Sequence, residues 1–114
     1  MTPTARTLAH YREQGWIVEV TERWNPHARV RHDLFGFADM LAFDADWTVA
    51  IQCTTTKNLN DRIRKAAALD TFAKWLAHPR RQVHFVGWTK YKQSLDGRFW
   101  RPTVRVLHAL EEVG

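Results

Sequence analysis

Cysteine is almost missing from this sequence: Cys53 is the only one in 114 residues. A single thiol excludes an internal disulfide and fits the reducing conditions of the cytoplasm, so we expect a cytoplasmic protein in which Cys53 is a small buried residue. Long apolar runs are missing too, since none approaches the roughly 18 residues of a membrane span. The first residues, MTPTARTLAHYREQGW, lack the apolar core of a signal peptide, and we expect no membrane association.

Acidic residues are too few to balance the basic ones. The chain has 12 Asp and Glu against 17 Lys and Arg, which gives a formal net charge of +5. A basic excess in so short a chain favours an anionic partner, most often nucleic acid, and the alternative is a generic basic surface. No internal repeat or low-complexity segment divides the chain, and its length suits one hydrophobic core, so we expect a single domain over residues 1–114.

Hydrophobic spacing and turn residues predict an α/β domain with a central mixed β-sheet flanked by helices, in the order α-β-β-β-α-β-β. The predicted helices cover residues 4–14 and 59–77, and the predicted strands cover 16–24, 34–43, 47–53, 83–88 and 103–110. A loop opened by Asn25-Pro26 covers 25–33, and the tight turn Asp44-Ala45-Asp46 joins the second strand to the third.

Polar side chains interrupt both strands of this central hairpin. Asp39 lies within GFADMLAF, and Gln52 and Thr54 lie within TVAIQCTTTK. An aspartate among apolar neighbours is costly to bury without a strong partner, which favours a functional role for Asp39. A hairpin loop with an even number of residues places Asp39 opposite Gln52, with Cβ atoms roughly 5 Å apart and able to share a metal ion, whereas a three-residue loop would not. Two alternatives stay open: Asp39 could bond nearby backbone or an arginine, and Thr54 could be an ordinary strand residue.

The succession of helix, strand, GFADMLAF, turn, TVAIQCTTTK and basic helix resembles the PD-(D/E)xK nuclease superfamily. The likeness covers roughly residues 4–90 and is nearest to the archaeal Holliday-junction resolvases and to small phage-encoded relatives. It implies a restriction-endonuclease-like fold and a bacterial, archaeal or phage-infected host cell. Asp39 stands at the position of the metal-binding aspartate, Gln52 replaces the second carboxylate, and Thr54 replaces the lysine.

The resemblance implies a metal-dependent DNA phosphodiesterase, either an endonuclease or a resolvase-like enzyme. Its catalytic residues would be Asp39, Gln52, Thr54 and Lys57, with Mg²⁺ or Mn²⁺ held by Asp39 and Gln52. Some members of the superfamily carry a glutamine at this position, so Gln52 does not by itself exclude activity. The Lys57 amine would stand in for the missing lysine, which would position the attacking water and neutralise charge on the phosphate.

Asp33 is a further candidate metal ligand. It shares strand parity with Asp39, but six extended residues span roughly 20 Å. Asp33 can reach the same ion only if the chain bends, and Gly36 is the one obvious place for a bend. Otherwise Asp33 is a loop residue that pairs with Arg29 or Arg31.

Basic residues cluster after the third strand and again near the carboxyl end. We expect DNA, branched DNA included, as the partner, and a homodimer stays open as the assembly state. Aromatic residues at 88, 91, 99 and 100 interleave with the second cluster, which suits base stacking or a buried core. The predicted DNA-binding residues are Lys57, Arg62, Lys65, Lys90, Lys92, Arg98 and Arg101.

Two other functions remain open on the sequence alone. The chain could keep the nuclease fold without catalysis and bind DNA or regulate a partner, which Gln52 and Thr54 favour because they replace motif residues. It could also be an inhibitor or adaptor that binds protein through its aromatic carboxyl-terminal half.

Overall fold

The computed structural model describes residues 1–90 and 99–109, which form a five-stranded sheet, a smaller two-stranded sheet and flanking helices. The helices are α1 (Pro3–Glu13), α2 (Leu59–Ala67) and α3 (Asp70–Leu76), and a short 3-10 turn, Thr56–Asn58, precedes α2. The strands are β1 (Ile17–Val20), β2 (Arg23–Asn25), β3 (Val30–His32), β4 (Met40–Phe43), β5 (Thr48–Thr55), β6 (Arg81–Lys90) and β7 (Trp100–His108). In this part of the chain, no helix is both long and apolar enough to cross a membrane.

The main sheet is mixed, with neighbouring strands in the order β1-β4-β5-β6-β7. All its pairs are antiparallel except β5 with β6, which pair parallel. A parallel pair needs a crossover connection, which the 3-10 turn, α2 and α3 supply. Gly87 on β6 lets the turn approach closely, because a Cβ at that position would lie 2.8 Å from Thr56 Cα. The predicted α/β class with a mixed, helix-flanked sheet is confirmed.

Two apolar clusters cover the two faces of the main sheet. On one face, Tyr11 of α1 packs with Val49, Ile51 and Cys53 of β5. On the other face, Ala50 packs with residues of α2 and α3. The side chains of β5 thus alternate between the two faces, and Cys53 is a buried free thiol, as expected.

The predicted first strand, 16–24, is divided in two, because the chain leaves the main sheet after Val20 and residues 23 and 24 belong to β2. The backbone N–H groups of Thr21 and Glu22 both donate to the Asp39 carbonyl, at 2.9 and 3.2 Å. These two bonds turn the chain away from β4 and end β1.

The predicted loop at 25–33 is also wrong, because it contains β3, which pairs antiparallel with β2 in the separate two-stranded sheet. The Asn-Pro signal marks only a tight turn between these strands. Asn25 Oδ1 accepts hydrogen bonds from the N–H groups of His27 and Ala28, at 3.0 and 3.2 Å. Such a bond closes a turn locally and leaves the flanking residues free to pair.

The predicted strand 34–43 is wrong in its first half, where the chain folds into a closed turn. Leu34 and Ala38 bond each other's backbone, at 2.7 and 2.9 Å. Gly36 lies inside this turn with φ of 87°, a left-handed conformation that glycine adopts without steric cost. β4 therefore begins only at Met40.

The remaining differences concern element lengths. The predicted helix 59–77 divides at Leu69, whose backbone is extended (φ −86°, ψ 137°), and α3 restarts with Asp70 in its first turn. β6 extends beyond the predicted 83–88 at both ends, and β7 begins three residues before the predicted 103. Residue 110, the predicted end of the last strand, lies outside the described residues.

Candidate functional site

The β4–β5 hairpin sets the register of the candidate site. Residues 44–47 form the loop between the paired strands, and this even number of residues is the condition that places Asp39 opposite Gln52. Ladder pairing ends at Met40, however, and Asp39 lies at a bend immediately before β4.

At the end of this ladder, the Asp39 side chain accepts a backbone N–H hydrogen bond that a carbonyl group of the neighbouring strand would otherwise accept. Its Oδ2 accepts a hydrogen bond from the Cys53 N–H at 2.8 Å and a second from the Cys53 thiol at 3.4 Å. The Asp39 N–H donates to the Ile51 carbonyl at 2.8 Å. Asp39 is only 6% exposed, so its carboxylate is a buried acidic group held in a fixed orientation.

The turn at Gly36 brings Asp33 to Asp39. The two aspartates flank the closed Leu34–Ala38 turn, so they approach each other although six positions separate them. Carboxylate oxygens of Asp33, Asp39 and Glu22 all lie within 4.8 Å of one another. The bend that the sequence analysis required of Gly36 is therefore present, and we call these three residues the acidic cluster.

Glu22 is the member of the acidic cluster that the sequence analysis missed. Its side chain is 12% exposed and accepts a hydrogen bond from Arg31 Nη1 at 2.8 Å. A signal was present in the sequence, because Glu22 follows Val18 and Val20 at steps of two and so shares their side of an extended chain. A charged residue on that side needs a partner, and Arg31 provides one.

Gln52 contacts the acidic cluster through Asp33. Its Nε2 donates to Asp33 Oδ2 at 3.3 Å, and the residue is 5% exposed. A half-turn of the amide would present Oε1 at the same point. Gln52 thus lies beside the predicted metal ligands, with Asp33 rather than Asp39 as its hydrogen-bond partner.

Two clefts meet at the acidic cluster. The larger one has a volume of about 420 Å³ and is lined by Pro3, Thr4, Glu22, Arg31, Asp33, Asp39, Cys53, Thr54, Thr55 and Arg62. The smaller one has a volume of about 200 Å³ and is lined by Asp33, Gly36, Phe37, Gln52, Arg62, Lys65, Ala66 and Leu69. Asp33 and Arg62 line both clefts, so the two clefts are adjacent at these residues.

The other predicted catalytic residues differ in their distance from these clefts. Thr54 is buried in β5 and lines the larger cleft with Asp39. Lys57 is exposed on the 3-10 turn and is not among the described residues that line either cleft. The first turns of α2 instead present Arg62 to both clefts and Lys65 to the smaller one.

The described members of the second group of predicted DNA-binding residues are not among those that line either cleft. Lys90 and Arg101 are exposed on β6 and β7, while Lys92 and Arg98 lie outside the described residues. Of the aromatic side chains nearby, Trp88 is buried and donates to Thr7 Oγ1 at 2.9 Å, so it belongs to the core. Trp100 lies beneath the Arg6 guanidinium, 4.2 Å from the ring centroid.

Burial and the nearby Asp33 carboxyl together raise the pKa of Asp39 to about 7, against the lowering effect of the bond from the Cys53 N–H. The carboxyl group therefore holds its proton more strongly than an exposed aspartate does, and a cation must displace that proton to bind. Burial and the nearby Asp39 also raise the pKa of the Cys53 thiol to about 12, so Cys53 remains a neutral hydrogen-bond donor.

Nothing matches this chain among protein-family models, curated proteins or solved structures. The function must therefore be argued from the site itself.

The chemistry of the acidic cluster suits a hard divalent cation. Three carboxylates and a nearby amide offer only oxygen ligands once the amide turns, which is the donor set that Mg²⁺ and Mn²⁺ favour. Zinc sites in proteins are built mainly on cysteine and histidine, and the acidic cluster contains neither. Without a cation, Arg31 offsets the charge of Glu22, while burial and the nearby Asp33 carboxyl raise the pKa of Asp39.

Proposed function

We propose that this protein is a divergent PD-(D/E)xK-type phosphodiesterase that cleaves DNA with Mg²⁺ or Mn²⁺ and has a restriction-endonuclease-like fold. The observation that carries the proposal is the convergence of Glu22, Asp33 and Asp39 in a cleft that Arg62 also lines. Carboxylates that can bind a metal ion, next to a basic side chain that can bind the phosphate, suit metal-assisted cleavage of a phosphodiester.

The position of the site along the chain supports this proposal. Asp39 immediately precedes β4, where the superfamily has its Pro-Asp, and Gln52-Cys53-Thr54 lies near the end of β5, where it has (D/E)-x-K. The substitution at Gln52 removes one carboxylate from that pattern. Glu22 and Asp33 bring two carboxylates to the same place from outside the motif.

In the proposed reaction, Asp39, Asp33 and Glu22 would hold the cation, and Glu22 would do so only if Arg31 shared or released it. The bound ion would activate a water molecule and offset negative charge on the phosphate. Arg62 lies where it can bind the phosphate between the two clefts, and the Thr54 hydroxyl can donate to a phosphate oxygen.

A second candidate function is favoured by Thr54, which stands where the superfamily carries its catalytic lysine. A nuclease-fold protein that binds DNA or regulates a partner without cutting DNA needs no such lysine. Lys57 is the proposed replacement, and its amine would have to reach the larger cleft from the 3-10 turn.

Cleavage assays separate these functions. We expect the protein to nick supercoiled plasmid or a four-way junction in Mn²⁺ and not in EDTA. Asp33→Asn should lower the rate by roughly 100-fold or more, since weakening even the groups around metal ligands costs 10–100-fold. Glu19→Gln, at an exposed acid on β1, is the matched control and should cut at the wild-type rate.

Other results of these assays would favour a different function. Binding of DNA without nicking under every metal condition would favour the non-catalytic function. If the protein does not bind nucleic acid even at low salt, where phosphate contacts are strongest, a protein-binding adaptor becomes the better account.

A further inference from the structure

The two-stranded sheet and its turn, residues 23–32, form an element that we call the ribbon. Its strands pair with each other and with no other described strand. Every residue of the ribbon is exposed except Asn25, which is half-buried. A two-stranded hairpin that packs on nothing is marginally stable in water, so the exposure of both faces suggests that a partner covers them.

The ribbon is basic and carries exposed apolar side chains. It contains Arg23, Arg29 and Arg31 with two histidines and no aspartate or glutamate. Trp24 is 58% exposed and Val30 is 44% exposed. This combination complements a polyanion that also offers apolar surface, such as the stacked base pairs of nucleic acid, and does not fit an apolar protein partner.

The ribbon adjoins the acidic cluster at both ends. It starts directly after Glu22 and ends directly before Asp33, and the Arg31–Glu22 ion pair holds its base. Whatever the ribbon binds is therefore positioned against the cleft of Asp39.

We propose that the ribbon binds duplex DNA by lying in the major groove of the B-form helix. This inference rests on the proposed function for the identity of the nucleic acid. The major groove, about 12 Å wide, admits a two-stranded β-ribbon, whereas the deep, narrow major groove of A-form RNA does not.

Different ribbon residues have different roles in this arrangement. Among the described residues, Arg23 and Arg29 have no ion-pair partner, so they are available to phosphates. Arg31 already bonds Glu22 and lies directly across the ribbon from Trp24, so both side chains share a face. Trp24 provides the apolar contact in the groove, and the two free arginines bind the backbone on either side.

Binding measurements in EDTA test the ribbon separately from cleavage. The double variant Arg23→Gln/Arg29→Gln should bind a labelled DNA duplex roughly tenfold more weakly, and its slope of log K against log salt should be shallower by about 2, one unit for each phosphate contact. Arg80→Gln/Arg105→Gln removes the same charge from exposed positions just before β6 and on β7, and should keep the wild-type slope. Trp24→Ala should weaken binding without changing the slope.

The outcomes are separable because EDTA removes the divalent cations that cleavage requires, so that only binding is measured. A ribbon variant that binds duplex DNA as tightly as the wild type, or loses no more than the Arg80/Arg105 control, overturns the ribbon proposal and leaves the nuclease proposal standing. Equal ribbon dependence for duplex RNA or single-stranded DNA overturns the groove assignment. If the ribbon proposal holds and the wild type never nicks DNA, only the catalytic proposal fails. Equal thermal stability of all variants is expected, since the substituted side chains are exposed.

Discussion

Replacing Asp39 with asparagine should stabilise the metal-free protein at pH 8, by on the order of 2 kcal/mol, or roughly 5–10 °C in melting temperature. At that pH the wild type carries a buried, charged carboxylate beside Asp33 and Glu22, whereas the asparagine is neutral. The amide oxygen can still accept the bond from the Cys53 N–H, so the end of β5 keeps its partner.

The direction of this stability change follows from the way in which the protonation of Asp39 depends on pH. The folded-state pKa of Asp39, about 7, lies above its unfolded value of about 4. The contribution of Asp39 to the free energy of unfolding is therefore fully present below pH 4 and is lost as the pH rises to 7. His84 acts in the opposite direction, because burial lowers its pKa to about 4 and its contribution is lost as the pH falls from 6.5 to 4. The two effects oppose each other in the wild type, and Asp39→Asn should reveal stability that rises from pH 4 to 6.5 and then levels off.

Thermal melts in EDTA across pH 4–9 measure both curves. Asp46→Asn makes the same chemical change at an exposed position of the β4–β5 loop and should leave the wild-type curve unchanged. An Asp39→Asn protein that is less stable than the wild type at every pH would mean that the carboxylate is a structural hydrogen-bond acceptor and that its charge costs the fold nothing.

Replacing Gln52 with glutamate should sensitise the protein to divalent cations. The new carboxylate would lie beside Asp33, whose Oδ2 now accepts the hydrogen bond from Gln52 Nε2. Without metal, that bond becomes a like-charge contact and the melting temperature should fall by several degrees. Mn²⁺ should then raise the melting temperature of the variant more than that of the wild type, because the ion binds the folded state alone.

A matched substitution shows whether the response to Mn²⁺ depends on a carboxylate at position 52 or on any added negative charge. Gln14→Glu adds the same group at the exposed end of α1, and its response to Mn²⁺ should equal that of the wild type. If Gln52→Glu responds no more strongly than Gln14→Glu, then position 52 does not contribute to a cation site.

Local patterns predicted the elements that have one clear periodicity. The helix α1, the strands β5 and β6 and the burial of Cys53 follow from side-chain spacing along one segment, and all are present. The sequence predicted a tight turn between β4 and β5 and left its length open; the loop covers residues 44–47 and is closed by Asp44, whose Oδ1 accepts from the N–H groups of Asp46 and Trp47. These features depend on neighbours within a few positions, which a sequence displays directly.

The acidic cluster and the ribbon depend on contacts between distant segments. The Asp39 carbonyl ends β1 by accepting two N–H groups from residues 21 and 22, and no local pattern announces such a bond. That event places Glu22 at the site and frees β2 to pair with β3. The role of Gly36 could be stated only as a condition, because glycine permits a bend without requiring one.

The central claim is that Glu22, Asp33 and Asp39 form one divalent-cation site, and calorimetric titration with Mn²⁺ at several pH values tests it most directly. The account predicts one ion per chain, with an apparent affinity that rises about tenfold per pH unit below pH 7, because binding must displace the Asp39 proton. Asp39→Asn should abolish this binding, and Glu19→Gln should not. Absence of Mn²⁺ binding by the wild type at pH 8, or equal binding by Asp39→Asn, would contradict the account.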